Sequence, residues 1–148
     1  MRGREQPRKA ILLAAGRGSR LRPLTKTIPK CMVPVAGKPI LEHNIETLRS
    51  YGVREFVINL CHLPEAVMDH FQDGRKWGVV IHYSIEEQQL GTAGGVKRAE
   101  RFLDEDFIVW YGDNLSTCRI DLLWKLHQNK RSLGTIALYW REDPASSG

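Results

Sequence analysis

Long hydrophobic runs are missing from this sequence. Nothing approaches the roughly 18 to 20 consecutive apolar residues that a membrane-spanning helix needs, and the longest early run, Ala10 to Ala15, is too short for a signal-peptide core. A cytoplasmic protein with no membrane partner is therefore expected. Cysteine is scarce too. Cys31, Cys61 and Cys118 are far apart and odd in number, which excludes a secreted disulfide framework and a paired Cys-x-x-Cys zinc site. The five histidines show no His-x-x-x-His spacing and no neighbouring Ser or Cys arranged as a nucleophile. Trp77, Trp110, Trp124 and Trp140 read as packing residues. No internal repeat or low-complexity tract occurs. What remains is an ordinary 148-residue composition, 42% hydrophobic and 26% charged, that suits one soluble domain.

The net charge of +5 is unevenly distributed. Residues 1–30 carry nine Lys or Arg against one acid, Glu5, so the remaining 118 residues are net negative by three charges. A basic end can serve nucleic acid, a membrane surface or an anionic small molecule. Residues 1–9 read as a solvated basic tail, since they precede the first apolar run. A nucleic-acid module would spread basic and aromatic residues over a face, which this chain does not do, so no nucleic-acid partner is expected.

Period reading gives five strand candidates: 10–15, 55–60, 79–84, 107–111 and 135–140. Helical patterns alternate with them. Pro39 opens the first, Ile40, Leu41, Ile45 and Leu48 recur on one face, and Gly52 follows its end. Pro64 opens a second, Thr92 can cap a third, and a fourth begins near Asp121. Strict alternation predicts an α/β fold with a doubly wound, mostly parallel sheet spanning residues 10–148. The runs at 11–13 and 107–111 lack alternation, as central strands covered on both faces do.

One connection breaks this rhythm. Gly16 to Lys38 is 23 residues long, where α/β units typically use about 2 to 6. It must emerge beyond the carboxyl end of a strand, the ligand-binding edge of open α/β sheets. Gly112-Asp113 follows another strand at that edge, so Asp113 faces the basic loop if the two strands are neighbours. Gly16 and Gly18 permit positive φ and close approach of backbone N–H groups to an anion, and Arg20 and Lys30 add full charges. Pro23, Pro29, Pro34 and Pro39 stiffen the scaffold. The loop is neither a dinucleotide fingerprint, because Leu21 stands where Gly or Ala is needed, nor a Walker loop, because Gly37-Lys38 is followed by Pro39.

Leu13-Ala-Ala-Gly-x-Gly-x-Arg20-Leu-x-Pro-Leu-Thr25, then Pro29-Lys30, then Pro34-Val-x-Gly-Lys-Pro-Ile40, resembles the signature of the sugar-phosphate nucleotidylyltransferases. Leu90-Gly-Thr-Ala-Gly-Gly95 and Gly112-Asp113 agree in order and spacing. The resemblance implies a Rossmann-like nucleotidyltransferase fold. It also implies transfer of a nucleotidyl group from a nucleoside triphosphate to a sugar 1-phosphate with release of pyrophosphate, and leaves homo-oligomerisation open. By motif match, Arg20 with the N–H groups around Gly18 and Ser19 would hold the departing phosphates. Lys30 would neutralise the α-phosphate, and Asp113 would bind Mg²⁺. Leu13, Ala15, Gly16 and Gly91 would line the nucleoside pocket. Domains of this family run longer, so the chain is expected to be an N-terminal portion ending after the fifth strand. The sugar-binding residues and a second metal-binding aspartate would lie beyond it.

Base choice turns on Glu86. Uridylyl members of the family place Gln five residues before the glycine matching Gly91, whereas this chain has a carboxylate. An acceptor-only group suits guanine, which offers N1–H and N2–H₂ side by side, better than uracil. Tyr-Ser-Ile-Glu86 followed by Leu-Gly-Thr-Ala-Gly is most similar to guanylyltransferases acting on mannose-type sugars and heptose 1-phosphate, so GTP is the expected substrate. Uridylyl or thymidylyl transfer, and a non-catalytic module that binds a nucleotide or nucleotide sugar, are the alternatives.

Overall fold

The computed structural model describes residues 6–140. It divides into two compact units, Gln6–Ser116 and a second whose described part is residues 117–140. The first contains β1 (Lys9–Leu13), β2 (Pro34–Val35), β3 (Lys38–Pro39), α1 (Ile40–Ser50), β4 (Glu55–Leu60), α2 (Pro64–Phe71), β5 (Val80–Ile85), α3 (Gly91–Arg98) and β6 (Phe107–Tyr111). The second contains α4 (Ile120–Lys130), the helix expected near Asp121.

The main sheet is fully parallel, in the order β5-β4-β1-β6. Its register is flush: Leu13 lies opposite both Asn59 and Tyr111, and Asn59 lies opposite Ser84. The segments that follow all four strands therefore leave from one edge.

Both faces of β1 are covered, which is why its sequence is apolar without alternation. On one face Ile11 and Leu13 pack with Val57 and with Val96, Ala99 and Phe102 of α3 and the 3₁₀ turn beyond it. On the other face the Trp110 indole N–H donates to Asn44 Oδ1 of α1 at 3.1 Å, and Asn44 Nδ2 donates to the Gly112 carbonyl. The sheet thus lies between α1 and α3, the doubly wound arrangement. Leu41, Ile45 and Leu48 of α1 are fully buried at helical spacing, as their periodicity predicts. The strands β2 and β3 form a two-residue hairpin whose turn residues, Ala36 and Gly37, both have positive φ, the turn form that matches strand twist.

Several expectations shift. β1 ends at Leu13 rather than Ala15. The end of the supposed tail is structured: Lys9 opens β1 and the Arg8 carbonyl accepts the N–H groups of Arg54 and Glu55, while residues 1–5 lie outside the described residues. α3 starts one residue before Thr92, with Leu90 in the cap position and no side-chain cap from its own segment. Among the described residues β6 lies at the edge of the sheet rather than inside it, with Val109 44% and Tyr111 52% exposed. The fifth strand expected at 135–140 does not form. That stretch has no ladder partner among the described residues, and Ile136, Leu138 and Trp140 are exposed. An apolar run suits a strand, but a strand also needs a neighbour for its backbone groups.

Two outcomes follow from this packing. Ile11→Ala should lower unfolding free energy by about 2–5 kcal/mol and Val109→Ala by less than about 1 kcal/mol, read from urea midpoints, since only the first opens a cavity. Burial pushes the thiol of Cys31 up to about 12, so iodoacetamide at pH 8 should label the partly exposed Cys61 and Cys118 first, with Cys31 labelled only in denaturant, as mass spectrometry of tryptic peptides would report.

Candidate active site

The long connection after β1 folds into three consecutive 3₁₀ turns, Ser19–Leu21, Leu24–Lys26 and Lys30–Met32. Gly18 is the pivot, with φ of 63°. A Cβ there would meet Thr25 Cγ2 at 2.8 Å and Lys30 Cβ at 3.0 Å, so the position excludes other residues both by conformation and by space. Thr25, the most buried polar residue of the loop, donates its hydroxyl to the Gly18 carbonyl at 2.7 Å, and the same carbonyl accepts the Leu21 N–H. The Thr25 carbonyl in turn accepts a hydrogen bond from His62 Nε2 at 3.0 Å, which fixes the proton on that nitrogen. Loop geometry thus rests on Thr25 and His62 as well as on the prolines. Gly16, by contrast, does not use positive φ. A Cβ on it would touch no protein atom within 4 Å; Gly91 has the same open space but does use positive φ, at 72°.

Where the four strand ends converge there is a cavity of about 310 Å³. Of the residues named from the sequence, Leu13, Ala15, Gly16, Glu86, Gly91 and Asp113 all line it, joined by Asn59, Gln89, Thr92 and Tyr111. The missing Cβ atoms at Gly16 and Gly91 leave its walls open. Lys30 and Asp113, 83 positions apart, form a hydrogen-bonded ion pair, with side-chain exposures of 28% and 24%. The adjacency of β1 and β6 brings them together, as anticipated from the sheet edge.

Glu86 is not a solvated strand-end residue. It is 2% exposed, and both carboxylate oxygens are engaged: Oε1 accepts from Asn59 Nδ2 at 2.8 Å and Oε2 from the Leu90 N–H at 3.0 Å. Asn59 Oδ1 accepts the Ala14 N–H at 2.7 Å. The Leu90 contact satisfies one of the orphan donors at the α3 start, the role expected of Thr92. Across the cavity mouth, Gln89 Nε2 donates to the Ala15 carbonyl at 2.8 Å.

A second opening of about 310 Å³ beside the loop is lined by Arg17, Arg22 and Lys26 together with Thr25, Cys61, His62 and Glu87. Ser19 and Arg20 are exposed on the first 3₁₀ turn and line neither opening. Among the described residues Arg17, Arg20, Arg22 and Lys26 have no ion-pair partner, so the loop presents uncompensated positive charge at this edge of the sheet. No group of three or more His, Cys, Asp or Glu among the described residues could hold a metal ion, and the carboxylates on the cavity wall are Asp113, paired with Lys30, and Glu86, bonded to Asn59 and the Leu90 N–H. No described helix is long and apolar enough to cross a membrane.

Sequence reasoning missed Asn59, Gln89, Thr25 and Tyr111. A signal for Asn59 was present, since an amide interrupts the apolar run Phe56-Val57-Ile58-Asn59-Leu60, and a buried amide in a strand needs partners. Gln89 and Tyr111 carried no such signal.

The nucleotidyl transferase family model matches residues 9–148. A UTP–glucose-1-phosphate uridylyltransferase of Synechocystis is 40% identical over 86% of this chain and 36% of its own length. A mannose-1-phosphate guanylyltransferase of Mycobacterium tuberculosis is 34% identical over 94% of this chain and 39% of its own length. Among solved structures, HddC from Yersinia pseudotuberculosis complexed with GMP-PN superimposes with a TM-score of 0.64 at 32% identity, covering 72% of this chain and 48% of that one. The chain thus spans between about one third and one half of the length of these relatives. A family match over all but the first eight residues, on a parallel sheet whose strand ends bear the motif residues, means that the chain belongs to the nucleotidyl transferase family.

Proposed function

We propose that this chain forms the nucleotide-binding part of a sugar-1-phosphate nucleotidylyltransferase that prefers GTP. The observation that carries the reading is the partly buried Lys30–Asp113 pair, whose Asp113 lies on the wall of a cavity lined also by Leu13, Ala15, Gly16, Glu86 and Gly91. In the reaction a phosphate oxygen of the sugar 1-phosphate forms a bond to the α-phosphorus of the triphosphate. The bond from that phosphorus to the bridging oxygen breaks, and pyrophosphate leaves with the electron pair. No proton need move, so the protein's work is positioning and charge neutralisation.

Each residue has a role suited to its surroundings. The backbone at Leu13, Ala15, Gly16 and Gly91 holds the nucleoside, aided by the open space at the two glycines. The N–H groups at Gly18 and Ser19 and the exposed guanidinium of Arg20 take the β- and γ-phosphates. Lys30 exchanges Asp113 for the α-phosphate, where negative charge gathers, and a compact ammonium suits that place. Glu86 uses about two of its four lone-pair sites on Asn59 and Leu90, leaving acceptors for the guanine N1–H and N2–H₂.

Asp113 also fits Mg²⁺. A single hard carboxylate oxygen is a suitable donor set for an ion that keeps most of its ligands as water and substrate phosphate. When bound, Mg²⁺ would supply electrostatic stabilisation of the phosphate charge. Uridylyl transfer is the second reading, favoured by the 40% identity to the Synechocystis enzyme named for UTP and glucose 1-phosphate.

Three outcomes test this. With Mg²⁺ and a panel of sugar 1-phosphates, GTP should give pyrophosphate release faster than UTP; a clear preference for UTP overturns the guanine assignment and favours the second reading. Saturation with GTP at about 100 times its Kd should stabilise the fold by about 2.7 kcal/mol, read as a rise in Tm. Lys30→Ala should lower turnover by at least about 100-fold while changing stability by about 1 kcal/mol or less; near-normal turnover in that variant refutes the assignment.

A further inference from the structure

We infer that Asn59 is a positioning residue that requires an acceptor-only side chain at position 86 and so fixes the hydrogen-bonding polarity this position shows to the nucleotide base. This rests on the nucleotide reading of the cavity above. Two groups around the pair have a polarity that cannot vary, the backbone N–H of Ala14 and that of Leu90, both donors.

Ala14 N–H points at the Asn59 amide at 2.7 Å, so the atom facing it must be the carbonyl oxygen, Oδ1. The other end of the amide, Nδ2, is then a donor aimed at Glu86 Oε1 at 2.8 Å. From the far side, Leu90 N–H donates to Glu86 Oε2 at 3.0 Å. The chain of bonds runs Ala14 to Asn59 to Glu86, with Leu90 closing it from the opposite direction. Glu86 therefore receives donors on both oxygens, and only an acceptor-only side chain satisfies both at once.

A glutamine at position 86 could not do so while Asn59 remains. With its oxygen toward Leu90 its NH₂ would face the NH₂ of Asn59. Turned over, its NH₂ would face the Leu90 N–H. Either way two donors meet in a buried site, where Asn59 and Glu86 are each 2% exposed. Escape by movement is blocked on one side, because α3 presses Gly95 against the pair. A Cβ there would sit 2.5 Å from Asn59 Nδ2 and 2.9 Å from Glu86 Oε1.

An aspartate at position 59 reverses the requirement. It could accept from the Ala14 N–H and from the NH₂ of a glutamine at position 86, whose oxygen could then accept the Leu90 N–H. The double replacement keeps all three bonds. It changes what faces the cavity, since the second N–H of the new amide replaces free carboxylate lone pairs. The amide at 59 thus also ties the backbone that begins the glycine loop to the segment facing the base.

The test is a double-mutant cycle on the unmodified chain, Asn59→Asp, Glu86→Gln and the two combined. Melting temperature is measured without ligand, and Kd for GTP, UTP and pyrophosphate, each with Mg²⁺, by calorimetry. Each single variant should lose at least about tenfold in GTP affinity and melt lower than the unmodified chain. The double variant should recover melting to within about 2 °C of the unmodified chain and pyrophosphate affinity to within about twofold. Its GTP-to-UTP preference should move by at least about tenfold toward UTP. A merely structural role would restore melting but leave that ratio unmoved, and this result overturns the inference. So does a double variant whose melting loss is the sum of the singles. If the unmodified chain binds pyrophosphate but no nucleoside triphosphate, the nucleotide reading fails and the base-selection claim falls with it. Failure of the inference alone is marked by normal GTP binding in the unmodified chain together with an unchanged ratio.

Discussion

Flush parallel pairing of β5, β4, β1 and β6 is the constraint on which everything chemical in this molecule depends. With Leu13, Asn59, Ser84 and Tyr111 aligned in one row, the next residues of each strand have nowhere to go but one edge. The glycine loop, the Leu60-Cys61-His62 turn, the Glu86–Leu90 segment and Gly112-Asp113 meet there. Shifting one strand along its neighbour would separate these groups by the rise of a residue or more, about 3.3 Å each. Burial of β1 on both faces holds the register, because a slip would carry its apolar side chains away from α1 and α3.

Charge at this edge is divided in two kinds of environment. Arg17, Arg20, Arg22 and Lys26 lie in contact with water and lack carboxylate partners among the described residues. Exposed cations of this sort attract anions over a distance set by salt screening. Lys30 is different, being partly withdrawn from water and held by Asp113. An ion pair in that setting keeps each charge ready for a new partner at modest desolvation cost, since both groups have already left most of the solvent.

The same economy of space shapes the side of the cavity that Glu86 lines. Three backbone features, the Ala14 N–H, the Leu90 N–H and the missing side chain of Gly95, surround two buried polar side chains and leave them one arrangement. No buried polar side-chain atom lacks a hydrogen bond among the described residues. A fully satisfied network of this kind is rigid and fixes the order of donors and acceptors along the cavity wall.

Much was legible in the order of residues, for local reasons. Alternation of apolar runs with helical periodicity identified four of the strands and all four expected helices, because strand and helix faces are written within a few residues of each other. The dense motif from Leu13 to Ile40 identified the loop and its family, since glycine, proline and charge must stand at fixed offsets to fold it. Contacts that cross the sheet were not legible. That Asn59 would reach both Ala14 and Glu86, and that Val109 and Tyr111 would lie half-exposed on an edge strand, depends on which strand lies beside which. The apolar run at 135–140 promised a strand that does not form, because pairing is a property of two segments and sequence shows one at a time. The sequence determined the chemical groups and their local conformation; only the tertiary structure decided their neighbours, because hydrogen bonds and burial act through space between residues dozens of positions apart.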